Sequence, residues 1–289
     1  MERKILEEKI YSKIDELPTL PMVVPKIISL VENDKSNTSD LTDVISNDLA
    51  LTSKILKVAN SAYYGFQQRI SDLRKAVALL GFNMVKSLAL SIGIIQTFPS
   101  GNRSRFFSVE GLWLHSISVA TLICELDRRF GDRNASESLF IIGLLHDLGK
   151  IVLDQFFSDL FYQTLEEAAN EEGMKLHIAE KKIIGIDHCE VAGILLKRWK
   201  FPLTMINTIA FHHHSELPEG TSPVDVAMLR IANIIAQMLG LGDEGNTNIN
   251  DLHESDLKLL RMDDKNFEDM ITYSHSIKEE IQTLFNAMI

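Results

Sequence analysis

Apolar residues recur along almost the whole chain at the spacing of helical faces, and this periodicity most constrains the fold. Leu41, Val44 and Ile45 share one such face, and Leu73 and Val77 begin another. No stretch alternates apolar and polar residues in the manner of a half-buried strand. Prolines and glycines fall between the periodic segments, where turns are expected. The sequence therefore predicts an all-α protein.

Two loop-like stretches divide the predicted helices into three parts. FPSGNRSR, at residues 98–105, combines Pro, Gly, Asn and Ser after a long apolar helix, and GLGDEGNTNIND covers Gly240–Asp251. We predict an N-terminal helical lobe over 1–100 and a helical bundle over 101–240. A helical tail over 241–289 is expected to pack on the bundle.

Charge and cysteine content limit the class of protein. The net charge of −11 argues against a protein that binds DNA mainly through its phosphates. Only Cys124 and Cys189 are present, which fits a reducing compartment. The charged opening MERKILEEKI does not resemble a secretory signal, and no apolar run is long enough to span a bilayer. We therefore expect a cytoplasmic protein with no membrane partner.

The stretch KAVALLGFNMVKSLAL reads as a helix, a turn at Gly81 and a second helix, the arrangement of a DNA-reading helix-turn-helix. Its second helix carries Lys86 as the only basic residue, whereas a recognition helix presents several polar groups to base edges. The pattern favours plain helix packing. A DNA-binding regulator is kept as an alternative function, but nucleic acid is not the expected partner.

Several histidines extend helical faces that otherwise look buried. His115 shares its face with Val119, and His212 and His213 continue an apolar stripe that begins at Met205. Because burying imidazoles without partners is costly, a shared site would satisfy them together. Scattered core histidines are the alternative interpretation.

Two short motifs carry the remaining ligand candidates. GLLHDLGK places His146 beside Asp147 at the end of an apolar helix, which we expect Gly149 to terminate. Asp187–Glu190 has the spacing of a capping box, which puts His188 in the first turn of the next helix. Neutral imidazoles with one carboxylate suit iron, manganese or zinc.

Such a site has a hydrolytic interpretation. Asp147 could bridge two ions, and a bridged water would become a nucleophile near neutral pH. Lys150 could neutralise a phosphate oxygen, so Asp147 and Lys150 are the catalytic candidates if the protein is an enzyme. His177, His253 and His275 lie in polar surroundings and are left out of the predicted site.

The motifs resemble, in order, those of the HDOD family, the HD-related output domain of bacterial signalling proteins, within the HD superfamily of metal-dependent phosphohydrolases. The similar stretches are LPTLP (Leu17–Pro21), the Asp48–Ala50 step, ANSAYYG (Ala59–Gly65), KAVALLGFNMVKSL, DHCEVAGILLKRWKFP (Asp187–Pro202) and the downstream His212–His213. The resemblance covers roughly Glu16 to Leu239. It implies an N-terminal helical lobe packed on an HD-like helical bundle.

The resemblance also implies a set of metal ligands. Catalytic relatives, including the HD-GYP phosphodiesterases that cleave cyclic di-GMP, have ligands at the positions that here hold His115, His146, Asp147, His188, His212 and His213. Asn233 stands where those relatives have an aspartate, and Gly111 stands where they have a glutamate. The HD-GYP signature loop is absent, since the chain continues after His213 as HSELPEGTSP. Cleavage of cyclic di-GMP is therefore not expected.

Most HDOD proteins are regarded as regulatory modules with a degenerate site, and the two departures favour the same role here. We expect a non-enzymatic signal-transduction module that acts through a signalling protein partner in trans. Fe, Mn or Zn is the expected metal, and a nucleotide is a further candidate ligand. From the length of 289 residues we expect no fused receiver or sensor domain beyond the helical pair. The alternative is a metal-dependent phosphohydrolase acting on a nucleotide or another phosphoester.

Overall fold

The computed structural model describes residues 12–13, 20–31, 37–98, 107–131, 136–242, 244–245, 248–249 and 251–289. This part of the chain contains helices and no strand, which confirms the all-α prediction. In chain order the helices are α1 (Val23–Val31), α2 (Thr38–Ser46), α3 (Leu49–Ala59), α4 (Leu73–Leu80), α5 (Phe82–Ile95), α6 (Val109–Phe130), α7 (Ser136–Leu145), α8 (Leu148–Phe156), α9 (Ser158–Asn170), α10 (Leu176–Ile183), α11 (His188–Arg198), α12 (Leu203–Ala210), α13 (Pro223–Leu239), α14 (Glu254–Leu259), α15 (Asp264–Ser276) and α16 (Lys278–Met288).

Contacts between helices divide the described residues into two compact units. One unit comprises residues 20–98 together with 276–289, and the other comprises residues 12–13 and 107–275. The three-part division of the sequence stays a prediction. The first predicted boundary lies in the 98–105 loop, which falls largely outside the described residues. The LPTLP motif also falls largely outside them.

The last helix belongs to the unit of the N-terminal helices. Its apolar residues Ile281 and Leu284 are buried there, and α16 packs on α3. Lys54 on α3 donates a hydrogen bond to the carbonyl oxygen of Met288 across 3.3 Å. Within this unit α16 packs on α3, and the expected packing of the tail on the bundle stays a prediction.

The predicted helix pair around Gly81 is present, with α4 and α5 bent by 117° relative to each other. Gly81 makes this turn with a φ of 89°, a conformation that favours glycine. Most of α5 is buried, including Lys86, whose ammonium group lies 5.2 Å from the centroid of the Phe82 ring. Because a recognition helix must present its side chains to a groove, this burial favours plain helix packing.

The larger unit is organised around α6, which packs against α7 and α13. A Cβ atom added at Gly143 on α7 would overlap the backbone of Ala120, so these two helices approach closely at that point. By length and composition α6 could cross a membrane, but 78% of its most apolar window is buried in the structure. Such burial is typical of a core helix.

The motif GLLHDLGK joins α7 to α8 and differs from its prediction in one detail. Helix α7 ends at Leu145, the residues His146 and Asp147 form a turn, and Gly149 lies inside α8. Gly149 was expected to terminate a helix. Its actual role is steric, because an added Cβ atom would overlap the carbonyl oxygen of His188.

Candidate metal centre

The bundle brings every predicted ligand position of the sequence into one region. Helix ends and turns supply most of them: His146 and Asp147 follow α7, His188 begins α11, and His212 and His213 follow α12. Ligand atoms of His115, His146 and Asp147 lie within 4.8 Å of one another, and so do those of His188, Cys189, His212 and His213. The capping box predicted at the start of α11 is present, with Asp187 as the N-cap.

Asp147 lies between the imidazoles. Its Oδ1 atom is 3.1 Å from His188 Nε2, and its Oδ2 atom is 3.3 Å from His146 Nε2 and 3.9 Å from His115 Nε2. All four side chains are at most 1% exposed. One carboxylate therefore connects histidines from three parts of the chain in a site from which bulk water is excluded.

The backbone and one glutamate fix the orientation of three imidazole rings. His146 Nδ1 donates to the carbonyl oxygen of Gly143 across 2.7 Å, and His212 Nδ1 donates to that of Ile209 across 2.7 Å. Because carbonyl oxygens only accept, Nδ1 of each ring is the donor and Nε2 is the nitrogen that can ligate a metal. His188 Nδ1 lies 2.6 Å from Glu180 Oε2. A second ring nitrogen held in this way is typical of metal-ligating histidines.

Several atoms of the centre have no hydrogen-bond partner among the described residues, although they are buried. They are His146 Nε2, and His188 Nε2 and Asp147 Oδ1, which lie 3.1 Å apart without meeting the geometry of a hydrogen bond. Unpartnered buried polar atoms are costly, and here they converge on one place. The donor set of imidazole nitrogens and a carboxylate oxygen fits iron, manganese or zinc. The residues present therefore fit the metal that the sequence predicts.

Burial sets the protonation of the rings. It lowers the pKa of His212 and His213 well below the usual imidazole value, and it lowers that of His115 to about 4. These rings are neutral near pH 7 and able to ligate a metal. Burial also lowers the pKa of His188, but its interactions with Cys189 and Glu180 outweigh this and leave the pKa well above the usual value.

Asp147 also takes part in a buried ion-pair network. Lys150 donates to Asp147 Oδ2 across 2.7 Å and to Glu244 Oε2 across 2.5 Å, and its side chain is fully buried. Burial lowers the pKa of Lys150, but the two carboxylates outweigh it, so the pKa is raised and the amine stays charged. Phe107 pairs with Glu244 through the backbone as an isolated antiparallel bridge. The lysine of the motif is thus held between two carboxylates.

The two departures from the catalytic pattern have visible consequences. His115 Nε2 lies 3.0 Å from Asn233 Oδ1, so the amide at this position accepts a hydrogen bond from the ring. A Cβ atom added at Gly242 would overlap the carbonyl oxygen of Gly111, so the segment after α13 lies against the start of α6. The carboxylate that this segment brings in is Glu244, which binds Lys150.

A cavity of about 210 Å³ lies beside the histidines. His212, His213 and Asn233 form one part of its wall. The other lining residues are Lys175, His177, Ile178, Arg230, Ile234, Asp251 and His253. The cavity gives a small polar ligand a place next to the candidate metal ligands.

Sequence reasoning missed four residues of the centre. Glu180 lies eight residues before His188, and Glu244 comes from a separate segment. Cys189 lies in the DHCE motif, in which only Asp187, His188 and Glu190 were assigned a role. His177 was left out as a polar-surface residue, yet its ring stacks on that of His213 with the centroids 4.3 Å apart. Of these, only the adjacency of Cys189 to His188 was visible as a local signal.

Comparison with known proteins agrees with this architecture. The HDOD domain family matches residues 17–215. An uncharacterized protein of Treponema pallidum (strain Nichols) is 29% identical over 258 residues, which are 89% of this chain and 48% of that protein. The chain thus spans about half the length of this curated relative.

Solved structures show the same fold. A Geobacter sulfurreducens HDOD domain protein of unknown function is 25% identical, with a TM-score of 0.82 over 100% of this chain and 98% of that one. A Shewanella amazonensis SB2B protein, described as a candidate phosphohydrolase, is 23% identical, with a TM-score of 0.76 over 97% of this chain and 98% of that one. Because the family match covers more than half of the sequence, this chain belongs to the HDOD domain family.

Proposed function

We propose that the protein is a non-enzymatic regulatory module that binds a divalent metal and acts on a signalling protein partner in trans. HDOD is a signalling and regulatory family, which supports the regulatory part of the proposal. The cytoplasm is the proposed compartment. A nucleotide is a further candidate ligand, and the cavity beside His212 and His213 is the place where a small polar group would fit.

The position of Lys150 carries the non-enzymatic part of the proposal. In the hydrolytic interpretation this lysine neutralises a phosphate oxygen, which requires a free ammonium group at the reacting centre. Its side chain is 0% exposed, and its ammonium binds Asp147 and Glu244. A charge held between two carboxylates is already compensated, and releasing it would leave them unpaired in a buried site.

The metal part of the proposal rests on the unpartnered atoms of the centre. His115, His146 and Asp147 would hold one ion, and His188, His212 and His213 lie next to this group. A bound divalent ion would supply positive charge to the buried lone pairs, and in a hydrolase it would activate a water molecule. Asn233 places a neutral amide beside this site. An aspartate at the same position would add a negative charge.

Metal content is the first measurement. Untagged wild-type protein, purified from metal-supplemented cells, is expected to carry near-stoichiometric Fe, Mn or Zn by elemental mass spectrometry. Asp147→Ala and His212→Ala are expected to lose it, and His275→Ala, an exposed histidine on α15, is the matched control. Metal-free wild-type protein, or the same metal content in all variants, would contradict the metal site.

A metal-dependent phosphohydrolase is the second candidate function. The observation in its favour is the convergence of His115, His146 and Asp147 within 4.8 Å, a ligand arrangement that a catalytic centre also needs. A screen of nucleotides and phosphodiesters with the metal-loaded protein separates the two functions. We expect no turnover. Hydrolysis that Asp147→Ala abolishes and His275→Ala retains would replace the regulatory proposal with the enzymatic one.

A further inference from the structure

Cys189 lies among the histidines of the centre and has no role in the predicted site. Its Sγ atom is 3.5 Å from His212 Nδ1 and 3.9 Å from His212 Nε2. One ligand atom from each of His188, Cys189, His212 and His213 lies within 4.8 Å of the others. Cys189 itself is fully buried. This distance range allows all four atoms to contact one ion after small side-chain movements.

The local fold explains how two adjacent residues reach the same place. Asp187 caps α11, so His188 and Cys189 occupy the first turn of this helix, whose N-terminal end faces the turn that follows α12. His188 Nε2 is buried and lies 3.1 Å from Asp147 Oδ1, so the ring faces the cluster of ligand atoms. His212 and His213 approach from that turn, with their ring centroids 4.1 Å apart.

We propose that Cys189 is a thiolate ligand in a second metal position, formed with His188, His212 and His213. The proposal rests on the metal-binding function proposed above and assigns a different set of donors. On binding, the Sγ–H bond breaks, a sulfur–metal bond forms, and the proton passes to solvent, with no change in oxidation state. One thiolate and three imidazoles supply four sulfur and nitrogen donors, the donor types and the number that a tetrahedral zinc site takes.

The thiolate gives this position a preference among metal ions that differs from the preference of the site formed around Asp147. Soft sulfur ligands favour Zn²⁺ and Co²⁺ over Mn²⁺, which prefers carboxylate and carbonyl oxygens. A mixed centre, with sulfur at one position and a carboxylate at the other, would therefore bind a thiophilic ion at the Cys189 position first. The usual role of a buried free cysteine is to pack as a small apolar side chain. Its contacts with the His212 ring distinguish Cys189 from that case.

The test uses Co²⁺ as a spectroscopic probe on the untagged full chain. We expect wild-type protein loaded with Co²⁺ to show a near-ultraviolet sulfur-to-cobalt charge-transfer band together with visible ligand-field bands. Cys189→Ser is expected to lose the charge-transfer band. Cys124→Ser, which changes the other cysteine of the chain, is expected to keep it. Circular dichroism of each variant shows whether it is folded, and Cys189→Ala is the second variant if serine disturbs the site.

The outcomes separate this proposal from the metal-binding function itself. Cobalt that binds with ligand-field bands but no charge-transfer band would overturn the role of Cys189 and leave the metal site standing. A charge-transfer band that persists in Cys189→Ser would also overturn the role of Cys189. Failure of Co²⁺ to bind at all would overturn both. As a second readout, Cys189→Ser should weaken Zn²⁺ binding by about tenfold or more, and Mn²⁺ binding should be unchanged.

Discussion

His115 Nε2 lies 3.0 Å from Asn233 Oδ1, and both side chains are buried in the bundle. The amide oxygen accepts the hydrogen of His115 Nε2, so Asn233 is the direct neighbour of this ligand candidate. A carboxylate at the same place would bring a negative charge next to the neutral ring of His115. The identity of residue 233 thus determines how much charge this side of the centre offers to a cation.

Asn233→Asp is predicted to strengthen metal binding. The new carboxylate would lie next to His115 and Asp147, and a cation would compensate both charges. We expect a gain of about tenfold or more in affinity for Mn²⁺ or Zn²⁺, by analogy with the size of changes to groups that support metal ligands. Competition titration against a chromophoric chelator measures it.

The control for this prediction is Asn286→Asp, which adds the same net charge at an exposed position of α16. Equal gains in both variants would assign the effect to the overall charge of the protein. No gain in Asn233→Asp would show that the position does not contact the bound ion.

Glu180→Gln is predicted to weaken metal binding without removing a ligand. Glu180 Oε2 accepts from His188 Nδ1 across 2.6 Å and from the His188 backbone across 2.9 Å. An amide oxygen preserves the geometry but loses the negative charge that makes the ring a better donor. Partners of this kind typically contribute about 10–100-fold to metal affinity.

The same titration checks this prediction, with Glu166→Gln on the exposed side of α9 as the matched control. If Glu180→Gln binds the metal as tightly as the control does, His188 is not a ligand. A retained far-ultraviolet circular dichroism spectrum would confirm that the bundle is still folded.

The helices were predictable because their faces repeat locally. His188, for example, lies in a first turn that Asp187 and Glu190 define within four residues, and the capping box is present in the structure. The tail could not be assigned in this way. Residues of α16 show an amphipathic pattern, but a pattern does not say which partner covers the apolar face, and here α3 covers it.

In the candidate site, too, local patterns were predictable and long-range contacts were not. The histidines were visible because each extends an apolar stripe or adjoins a motif, and the structure brings them together. The partners of the histidines and of Lys150 come from distant segments, as with Glu180 for His188 and Glu244 for Lys150. Long-range ion pairs leave no periodic signal in a single sequence. For that reason Lys150 looked available for phosphate, although it is buried between carboxylates.

Glu244→Gln is predicted to change the pH dependence of stability in metal-free protein. Burial raises the pKa of Glu244, but Lys150 and His115 outweigh it, and the net direction is downward. A carboxyl with a lower pKa in the folded state stabilises the protein above its unfolded-state pKa of about 4.3. That stabilisation is lost as the pH falls through the lower folded-state pKa.

Urea unfolding at several pH values, with a chelator present, measures this effect. At pH 7 Glu244→Gln should cost about 1–3 kcal/mol, because it weakens a buried charge-assisted hydrogen bond. The difference from wild type should shrink as the pH falls below the unfolded-state pKa of about 4.3, and it should be lost below the lower folded-state pKa. Glu216→Gln, at an exposed position, should follow the wild-type curve. A difference that stays constant with pH would contradict the ionised state of Glu244.

Gly149→Ala is predicted to damage both stability and metal binding. Gly149 lies in α8, and a Cβ atom there would overlap the carbonyl oxygen of His188, which begins α11. Since this obstacle is backbone, the two helices must separate. We expect a loss of about 1–3 kcal/mol or more in the free energy of unfolding, the usual range for overpacking. His188 would move with its helix, away from Asp147, so metal affinity should fall as well.

Gly93→Ala provides the comparison, because its added Cβ atom would overlap the Val24 side chain in the other unit. Both substitutions overpack a buried position, so both should lower the midpoint of urea unfolding. Only Gly149→Ala should weaken metal binding, because only that substitution displaces a residue that contacts Asp147. If Gly149→Ala is destabilised but binds metal normally, the distance between His188 and Asp147 is not what determines affinity, and the centre would have to be held mainly by His212 and His213.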